Sequence, residues 1–294
     1  MNLTVWTSRI VAPFSLLIAL NACSLTGSNT FTGTAKGYEL SSQDGSASSG
    51  TLKRALLSDG STATTLSLTG LTPDVRYTAQ YRARGNDNAP ACESQSEVTA
   101  SFGTFTADAL GNARVGLLSQ TSSLSGEASA AVDVRRAEQP ERAILCADLL
   151  ETEGTVLNDL TGAGREEPFG VRVGSTARGM ARVVALSDGM TAATISLSGL
   201  QPNTVYNAQF RALGTASDLP CLSRGVATAQ FSAFSSDESG NGWSRLLTPS
   251  VRITANSGRT SSSPPRVSAV RCARICRVYL PWPCKEERGR LDHH

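Results

Sequence analysis

The sequence predicts an all-β protein built from two tandem Greek-key β-sandwiches of the immunoglobulin-like kind. Three observations favour this class: a composition poor in charge, a long internal repeat, and alternating strands separated by Gly and Pro turns. Charged residues make up 18% and aromatic residues 5% of the 294 residues, while Gly alone occurs 26 times. Such a composition is typical of short strands joined by turns rather than of long helices.

The internal repeat covers a whole domain. Gly50–Leu118 aligns without a gap with Gly179–Leu247, with roughly 30 identities over about 69 positions at an offset near 129 residues. The nine residues "YTAQYRARG" from Tyr77 thus return as "YNAQFRALG" from Tyr206. We therefore expect five regions: a signal peptide at 1–22, an anchored linker with the first strand at 23–49, sandwiches at 50–150 and 151–258, and a tail at 259–294. The tail is rich in Arg, Ser, Pro and Cys, which fits either a shifted reading frame or a divergent ending.

Turn signals place the strands within each copy. Ser58–Gly60 and Ser187–Gly189 predict hairpin turns in which Gly takes a positive φ. In the strand that starts at Tyr77, alternate side chains point to opposite faces, so Tyr77, Ala79, Tyr81 and Ala83 are expected inside the sandwich. Glu166–Pro168 is expected to be a loop, and the boundary between the copies is expected near Leu150–Gly164.

The N-terminus predicts an exported, lipid-anchored protein. Ile10–Leu20 is an apolar run too short to span a bilayer, which needs about 20 residues, but suitable for a signal peptide. It leads into Leu20-Asn21-Ala22-Cys23, a sequence similar to a bacterial lipobox, although Asn21 is unusual there. Cys23 is thus the expected lipidation site, and an ordinary cleaved signal peptide is the alternative. The expected location is the cell envelope, outside the cytoplasm, with the membrane as a partner through the lipid.

Composition also argues against several functions. The net charge is +2 and no basic stripe carries interleaved aromatic residues, so we expect no nucleic-acid partner. The only His residues are His293 and His294, which leaves no Ser/His/Asp or Cys/His catalytic set in the folded region. We expect no cofactor, and we expect an unidentified envelope component or small molecule as the ligand.

The order of motifs in copy one resembles the copper/zinc superoxide dismutase family and its CHRD-type relatives. The matching features are a turn, a strand, a cysteine, a Phe-to-Ala motif, a late strand and an Arg-to-Cys segment: Gly70–Pro73, Tyr77–Arg84, Cys92, Phe105–Ala113, Ala131–Arg135 and Arg142–Cys146. A second resemblance is to fibronectin type III modules, in which a Tyr hydroxyl ties the corner that follows a G-L-x-P turn. The long stretch after that strand favours the first resemblance.

The dismutase resemblance implies copper ligands that this chain lacks. Where the family carries His-x-His, this chain has Gln80-Tyr81-Arg82 and its repeat Gln209-Phe210-Arg211, or Ala79 and Tyr81 in the neighbouring register. A late ligand would fall near Val134–Arg135. Arg stays protonated and has no lone pair to donate to a metal. Because the folded region contains no His, the sequence predicts a protein without a copper site. No carboxylate in the strand of Arg82 or in its repeat offsets the arginine charge, and an exported dismutase-family enzyme with residual metal chemistry is the rival interpretation.

Two interpretations remain for the Gln and Arg residues of the repeated strand. Gln80, Arg82, Gln209 and Arg211 form either a solvated outer face or a polar groove that binds an anion, a glycan or a partner. The groove hypothesis rests on the ability of Arg to bind a carboxylate through two hydrogen bonds.

The cysteines complete the resemblance. Cys92 and Cys146 would correspond to the family's disulfide between a loop and the last strand, closing a loop of about 55 residues and stabilising the fold by roughly 3–4 kcal/mol. Two buried thiols are the alternative. In copy two the partner of Cys221 is either Cys272 or Cys276, of which Cys276 is nearer to the spacing of copy one.

Overall fold

A computed structural model describes residues 29–85, 92, 96–149, 154–169, 176–212 and 225–254. Residues 29–149 are called copy one below, and residues 154–254 copy two. The signal peptide, Cys23, Cys221, Cys276 and the tail at 259–294 lie outside the described residues. Within the described ranges, no helix has the length and apolarity needed to cross a membrane.

Antiparallel strands dominate both copies, which confirms the all-β class. Copy one contains eight strands: β1 Asn29–Ser42, β2 Ser49–Leu57, β3 Ser61–Thr69, β4 Arg76–Arg82, β5 Val98–Thr106, β6 Ala113–Gln120, β7 Ala131–Arg136 and β8 Gln139–Asp148. Copy two contributes β9 Thr155–Pro168, β10 Arg178–Leu186, β11 Met190–Ser198, β12 Val205–Tyr206, β13 Gln209–Arg211, β14 Ala227–Gln230, β15 Phe234–Ser235 and β16 Gly242–Pro249. The described helices are short: two 3-10 turns, Thr121–Leu124 and Gly126–Ser129, and helix α1, Val251–Thr254.

The predicted hairpin turns are confirmed. Gly60 and Gly189 have φ values of 78° and 79°, a left-handed conformation that Gly adopts without steric cost. The repeated sequence D-x-x-G-N, at Asp108–Asn112 and Asp237–Asn241, is also a turn in both copies. In copy two the Asp237 carboxylate accepts hydrogen bonds from the backbone N–H groups of Asn241 and Ser239, at 2.8 and 2.9 Å. These bonds, led by that from Asn241, lower the pKa of Asp237 below its ordinary value.

Copy one is a two-layer sandwich. One sheet has the order β1-β2-β3-β6 and the other has the order β8-β7-β4-β5. Because β3 lies beside β6 and β4 beside β7, connections pass between the sheets in the manner of a Greek key. The core between the layers includes Leu52, Leu66, Tyr81 and Leu145, all essentially buried.

Copy two repeats this packing with shorter strands. Its sheet β9-β10-β11-β16 faces two small pairs, β12–β15 and β13–β14, which occupy the places of β4 and β5. The aromatic contacts repeat as well. Tyr77 stacks on Phe105 with ring centroids 5.9 Å apart, and Tyr206 stacks on Phe234 at 6.0 Å. The repeat in sequence is therefore also a repeat in core packing.

The large sheets of the two copies pair with each other at both edges. Strand β1 pairs with β9 from Asn29 to Gly37, and β6 meets β16 at Gly116 and Leu247. Together with the β1–β2 pairing, this closes a ring of eight strands in the order β1-β2-β3-β6-β16-β11-β10-β9, called the ring below. A second apolar core fills it: Ala35, Ala55, Leu57, Ala63, Leu118, Leu160, Val184, Leu186, Met190, Ala192 and Leu247.

The ring explains two departures from expectation. The interpretation of Glu166–Pro168 as a loop is wrong, because β9 runs to Pro168 and Glu166 pairs with Arg182 of β10. Much of the expected boundary region, from Thr155 onward, is likewise strand. Strand β3 is buried on both faces over its first half, because one face meets the sandwich core and the other meets the ring core.

Two ion pairs join the copies through residues that are equivalent in the sequence repeat. Arg182 of copy two lies 3.7 Å from Asp59 of copy one, and Lys53 of copy one lies 3.9 Å from Asp188 of copy two. Each residue of the second pair stands 129 positions from its counterpart in the first, since 182 − 53 and 188 − 59 both equal 129. The copies thus exchange equivalent contacts, as subunits do across a two-fold axis. Partly exposed pairs of this kind contribute at most about 1 kcal/mol each.

Candidate functional site

The inward face of β4 is as expected, except that Ala83 lies beyond the end of the strand and is only half-buried. Tyr77, Ala79 and Tyr81 are at most 1% exposed. The Tyr81 hydroxyl lies 2.7 Å from the Thr64 hydroxyl of β3, on the opposite sheet. Burial raises the pKa of Tyr81 to about 12, although the hydrogen bond to Thr64 acts in the other direction. This face builds the core and offers no access to a ligand.

Both copies also tie a Tyr hydroxyl to the preceding turn. The Tyr77 hydroxyl accepts a hydrogen bond from the backbone N–H of Thr72 at 2.9 Å. The Tyr206 hydroxyl accepts the equivalent bond from Gln201 at the same distance. This contact is the corner expected from the fibronectin-like resemblance, and it fixes where β4 and β12 begin.

Arg82, on the opposite face of β4, is buried rather than solvated. It is only 8% exposed, so the interpretation of a solvated outer face is wrong for this residue. Its Nε donates to Asp133 Oδ2 at 2.5 Å, and its Nη1 donates to the carbonyl oxygen of Ser96. These two nitrogen atoms are therefore already engaged within the protein. Gln80, two residues earlier on the same face, is half-buried.

Asp133 of β7 joins two guanidinium groups. Its Oδ2 accepts from Arg82, from Arg135 Nε at 3.0 Å, and lies 2.8 Å from Arg135 Nη2. Asp133 is 2% exposed and Arg135 is 6% exposed. Among the described residues, Asp133 Oδ1 is buried without a hydrogen-bond partner. This Arg82–Asp133–Arg135 cluster carries two positive charges and one negative charge. The sequence predicted no carboxylate in the strand of Arg82, and the compensating carboxylate comes instead from β7. It offsets one of the two arginine charges.

A disulfide lies close to this cluster. Cys92 is bonded to Cys146, which lies directly opposite Asp133 in the β7–β8 pairing. The bond therefore holds Cys92 next to the residue that pairs with Asp133. Cys146 is 1% exposed and packs against Ala130 and Ala131. The disulfide that the dismutase resemblance implied is present in the structure, close to the buried Asp133.

The equivalent residues of copy two have a different environment. Gln209 and Arg211 are both half-buried. Arg211 Nη1 donates to the carbonyl oxygen of Gly225 at 2.9 Å. With its amide oxygen turned toward Arg211, Gln209 accepts from Nε at 2.8 Å and from Nη2 at 3.1 Å. The two side chains that the sequence singled out in this copy are thus brought together, and they bind each other.

The sequence reasoning missed Asp133 and Ser96. A signal for Asp133 was present, because Asp133 and Arg135 alternate with Val132 and Val134 in a short strand. Alternation places the two polar residues on one face, opposite the apolar pair. Ser96 had no comparable signal, since its contact with Arg82 depends on the path of a loop.

The residues at the expected ligand positions are poor metal ligands. Gln80, Arg82 and Arg135 supply no imidazole, and Arg has no lone pair available. In the part of the chain that the structure describes, no group of three His, Cys, Asp or Glu residues is arranged to hold a metal ion.

Comparison with known proteins assigns the chain to no family. No protein-family model matches the chain, and no curated protein matches it. What the fold defines on its own is an all-β sandwich protein.

Proposed function

We propose that this chain is a lipid-anchored protein of the cell envelope whose two sandwiches are degenerate relatives of superoxide dismutase domains. In this proposal they serve a structural or binding role, and metal catalysis has been lost. The observation that carries it is the buried Arg82–Asp133–Arg135 cluster, which lies at or beside the places where the family would hold copper.

Electrostatics supports a non-catalytic role for this position. The cluster has a net charge of one positive unit, from two arginines and one aspartate. At about 4 Å and an effective dielectric constant near 20, one positive charge opposes a divalent ion by roughly 8 kcal/mol. This figure already includes Asp133, whose charge cancels that of one arginine and leaves the other uncompensated.

The proposed anchor would hold the sandwiches close to the membrane. Only five residues separate Cys23 from Asn29, where β1 begins. Six extended residue steps span at most about 20 Å. If Cys23 carries the lipid, the ring therefore lies near the lipid surface, and its ligand would be an envelope component or a small molecule in that compartment.

A fibronectin-like adhesion module is the second candidate function. The tied Tyr77 and Tyr206 favour it, because this corner is a hallmark of immunoglobulin-like sandwiches. The strands β5 to β8 after the corner favour the dismutase-like alternative in copy one. Both candidates share a binding role without metal chemistry.

Metal analysis of the purified mature protein, combined with a superoxide assay after copper loading, tests the loss of catalysis. We expect no stoichiometric copper and no dismutase activity, because Arg82 and Arg135 replace metal ligands with fixed positive charge. Tight binding of one copper per sandwich with turnover of superoxide would replace the proposal with the rival exported enzyme.

Fatty-acid labelling tests the anchor separately. Cys23→Ser should leave unprocessed precursor and abolish labelling, since the thiol is the proposed attachment point. Thr26→Ser is the matched control, because it makes an equally small change near the N-terminus and leaves the Cys23 thiol and the disulfide intact. Labelling that survives in Cys23→Ser would show that Cys23 is not the attachment point, and absence of labelling in the wild type would show that the protein is not a lipoprotein.

A further inference from the structure

An open cavity of about 410 Å³ lies where the two copies meet, at one end of the ring. Copy one contributes its β2–β3 turn at Asp59, and copy two contributes side chains from β9, β10, β11 and β16. The copy-two residues lie on the strand faces that point into the ring. Arg182 shares its face with Val184, and Arg245 shares its face with Leu247, both members of the ring core. We call this cavity the ring mouth.

Four polar side chains form a row across the ring mouth. Glu166 pairs with Arg182, Arg182 pairs with Thr194, and Thr194 pairs with Arg245, each directly opposite its neighbour on the next strand. Neighbouring strands lie about 4.8 Å apart, so the row crosses the sheet on one level. Its outer ends are the carboxylate of Glu166 and the guanidinium of Arg245.

Asp59 is already occupied in the ring mouth. Its Oδ1 accepts hydrogen bonds from the backbone N–H and the hydroxyl of Ser61, at 3.0 and 2.5 Å. Its Oδ2 lies 3.7 Å from Arg182. Asp59 therefore compensates the charge of Arg182, and Arg245 is left as the second cation of the cavity.

Among the residues that the structure describes, no acceptor meets the donors of Arg245. Its guanidinium lies over the ring of Trp243, 4.5 Å from the ring centroid. Burial lowers its pKa, while the charge of Asp59 acts in the opposite direction. Over the described ranges, the side chains of Arg245, Thr194 and Ser196 take part in no hydrogen bond, although all three line the same cavity. A half-buried guanidinium beside two hydroxyls is the kind of arrangement that binds a carboxylate.

The duplication shows that the fold does not require these charges. At the repeat offset, the matching row of copy one is Gly37, Lys53, Thr65 and Gly116, with the same pairings. Both charged ends are therefore Gly in copy one. A Cβ at Gly116 would stand 2.7 Å from the side chains of Leu247 and Met190, so that position has no room for a side chain. The repeated architecture therefore does not require an Arg at the equivalent place in copy two.

We propose that the ring mouth binds a small organic carboxylate. Arg245 holds the carboxylate, and the hydroxyls of Thr194 and Ser196 donate to it. The apolar body of the ligand rests on Trp243 and Met180, which are 59% and 42% exposed. This inference deepens the proposed binding role and rests on it, but the site involves neither Cys23 nor the Arg82–Asp133–Arg135 cluster.

Calorimetric titration with benzoate, using benzamide as a neutral isostere, tests the site. We expect benzoate to bind at least about tenfold more tightly than benzamide, because a charge-assisted pair with Arg245 requires the carboxylate. Arg245→Gln should weaken benzoate binding by about ten- to a hundredfold, and Arg245→Lys should weaken it less, since the charge remains. Arg142→Gln is the matched control, because Arg142 is exposed on β8 of copy one and lies outside the cavity.

Glu166→Gln is a second test, because it should strengthen benzoate binding whereas the Arg245 variants should weaken it. A gain in affinity cannot result from misfolding. Glu166 is exposed, and removing its negative charge should strengthen benzoate binding by about two- to fivefold. Three results would overturn the proposal: no benzoate binding up to about 10 mM, equal binding of benzoate and benzamide, or unchanged binding in both Arg245→Gln and Glu166→Gln. Any of these would leave the metal and labelling results untouched, so failure of this site is distinguishable from failure of the proposed function.

Discussion

Replacing Asp133 by Asn will show how strongly the buried ion cluster stabilises copy one. The side chain keeps its shape and its position opposite Cys146, but it loses the negative charge between Arg82 and Arg135. Those two arginines are 8% and 6% exposed, so water cannot readily take over the role of the carboxylate. The variant therefore leaves two guanidinium groups buried without a counterion.

The expected loss of stability is large. Removing one partner from a buried ion pair costs about 3–5 kcal/mol, because the remaining charge is uncompensated. Native proteins are stable by about 5–15 kcal/mol, so the change removes a substantial part of the total. With a urea dependence near 3 kcal/mol per M, the unfolding midpoint of Asp133→Asn should fall by about 1–2 M.

Urea unfolding followed by circular dichroism measures this loss. Asp159→Asn is the matched control, because Asp159 is exposed on β9, and its midpoint should stay close to that of the wild type. The combined variant Arg82→Met, Asp133→Leu, Arg135→Met should recover most of the loss, since apolar groups of similar volume remove the buried charges altogether. If Asp133→Asn unfolds within about 0.5 kcal/mol of the wild type, the cluster does not stabilise the fold through its charges.

Three further predictions concern the disulfide, the buried tyrosine and the closure of the ring. Non-reducing mass mapping of exported protein should find Cys92 linked to Cys146, and replacing both by Ser should cost about 4 kcal/mol in chemical unfolding for a closed loop of this length; recovery of two free thiols would contradict the disulfide. Because the pKa of Tyr81 is raised to about 12 in the folded state, its contribution to stability is complete below its ordinary pKa near 10 and is lost as the pH rises toward 12. Tyr81→Phe should flatten this alkaline loss and cost about 1–2 kcal/mol at neutral pH by leaving the Thr64 hydroxyl unpaired, and an unchanged alkaline slope would count against the buried phenol. Gly116→Val should destabilise the protein by about 1–3 kcal/mol in thermal unfolding, because its Cβ would stand 2.7 Å from the neighbouring side chains, whereas a neutral effect would mean that the ring is not closed there.

Local patterns in the sequence were sufficient to predict the elements of each copy. The turns at Gly60 and Gly189 follow from a residue that tolerates positive φ, which is a property of a few adjacent residues. The buried face of β4, with Tyr77 and Tyr81, follows from the two-residue period of a strand. The pairing of Cys92 with Cys146 came from the order of motifs in a resembling family, because spacing alone does not select a partner.

The environment of the site depended on contacts that no local pattern contains. Alternation places Arg82 on the outer face of β4, but only its contacts with Asp133 and Ser96, on other parts of the chain, show that it is buried there. The ring mouth could not be predicted from local sequence patterns, because Asp59 and Arg245 belong to different copies and come together only when the ring closes. The two-residue period of a strand predicts which side chains share a face. Whether that face is covered depends on pairing between strands that are far apart in the chain. Strand identity was therefore determined locally, and burial, ion pairing and the cavity were decided by the tertiary structure.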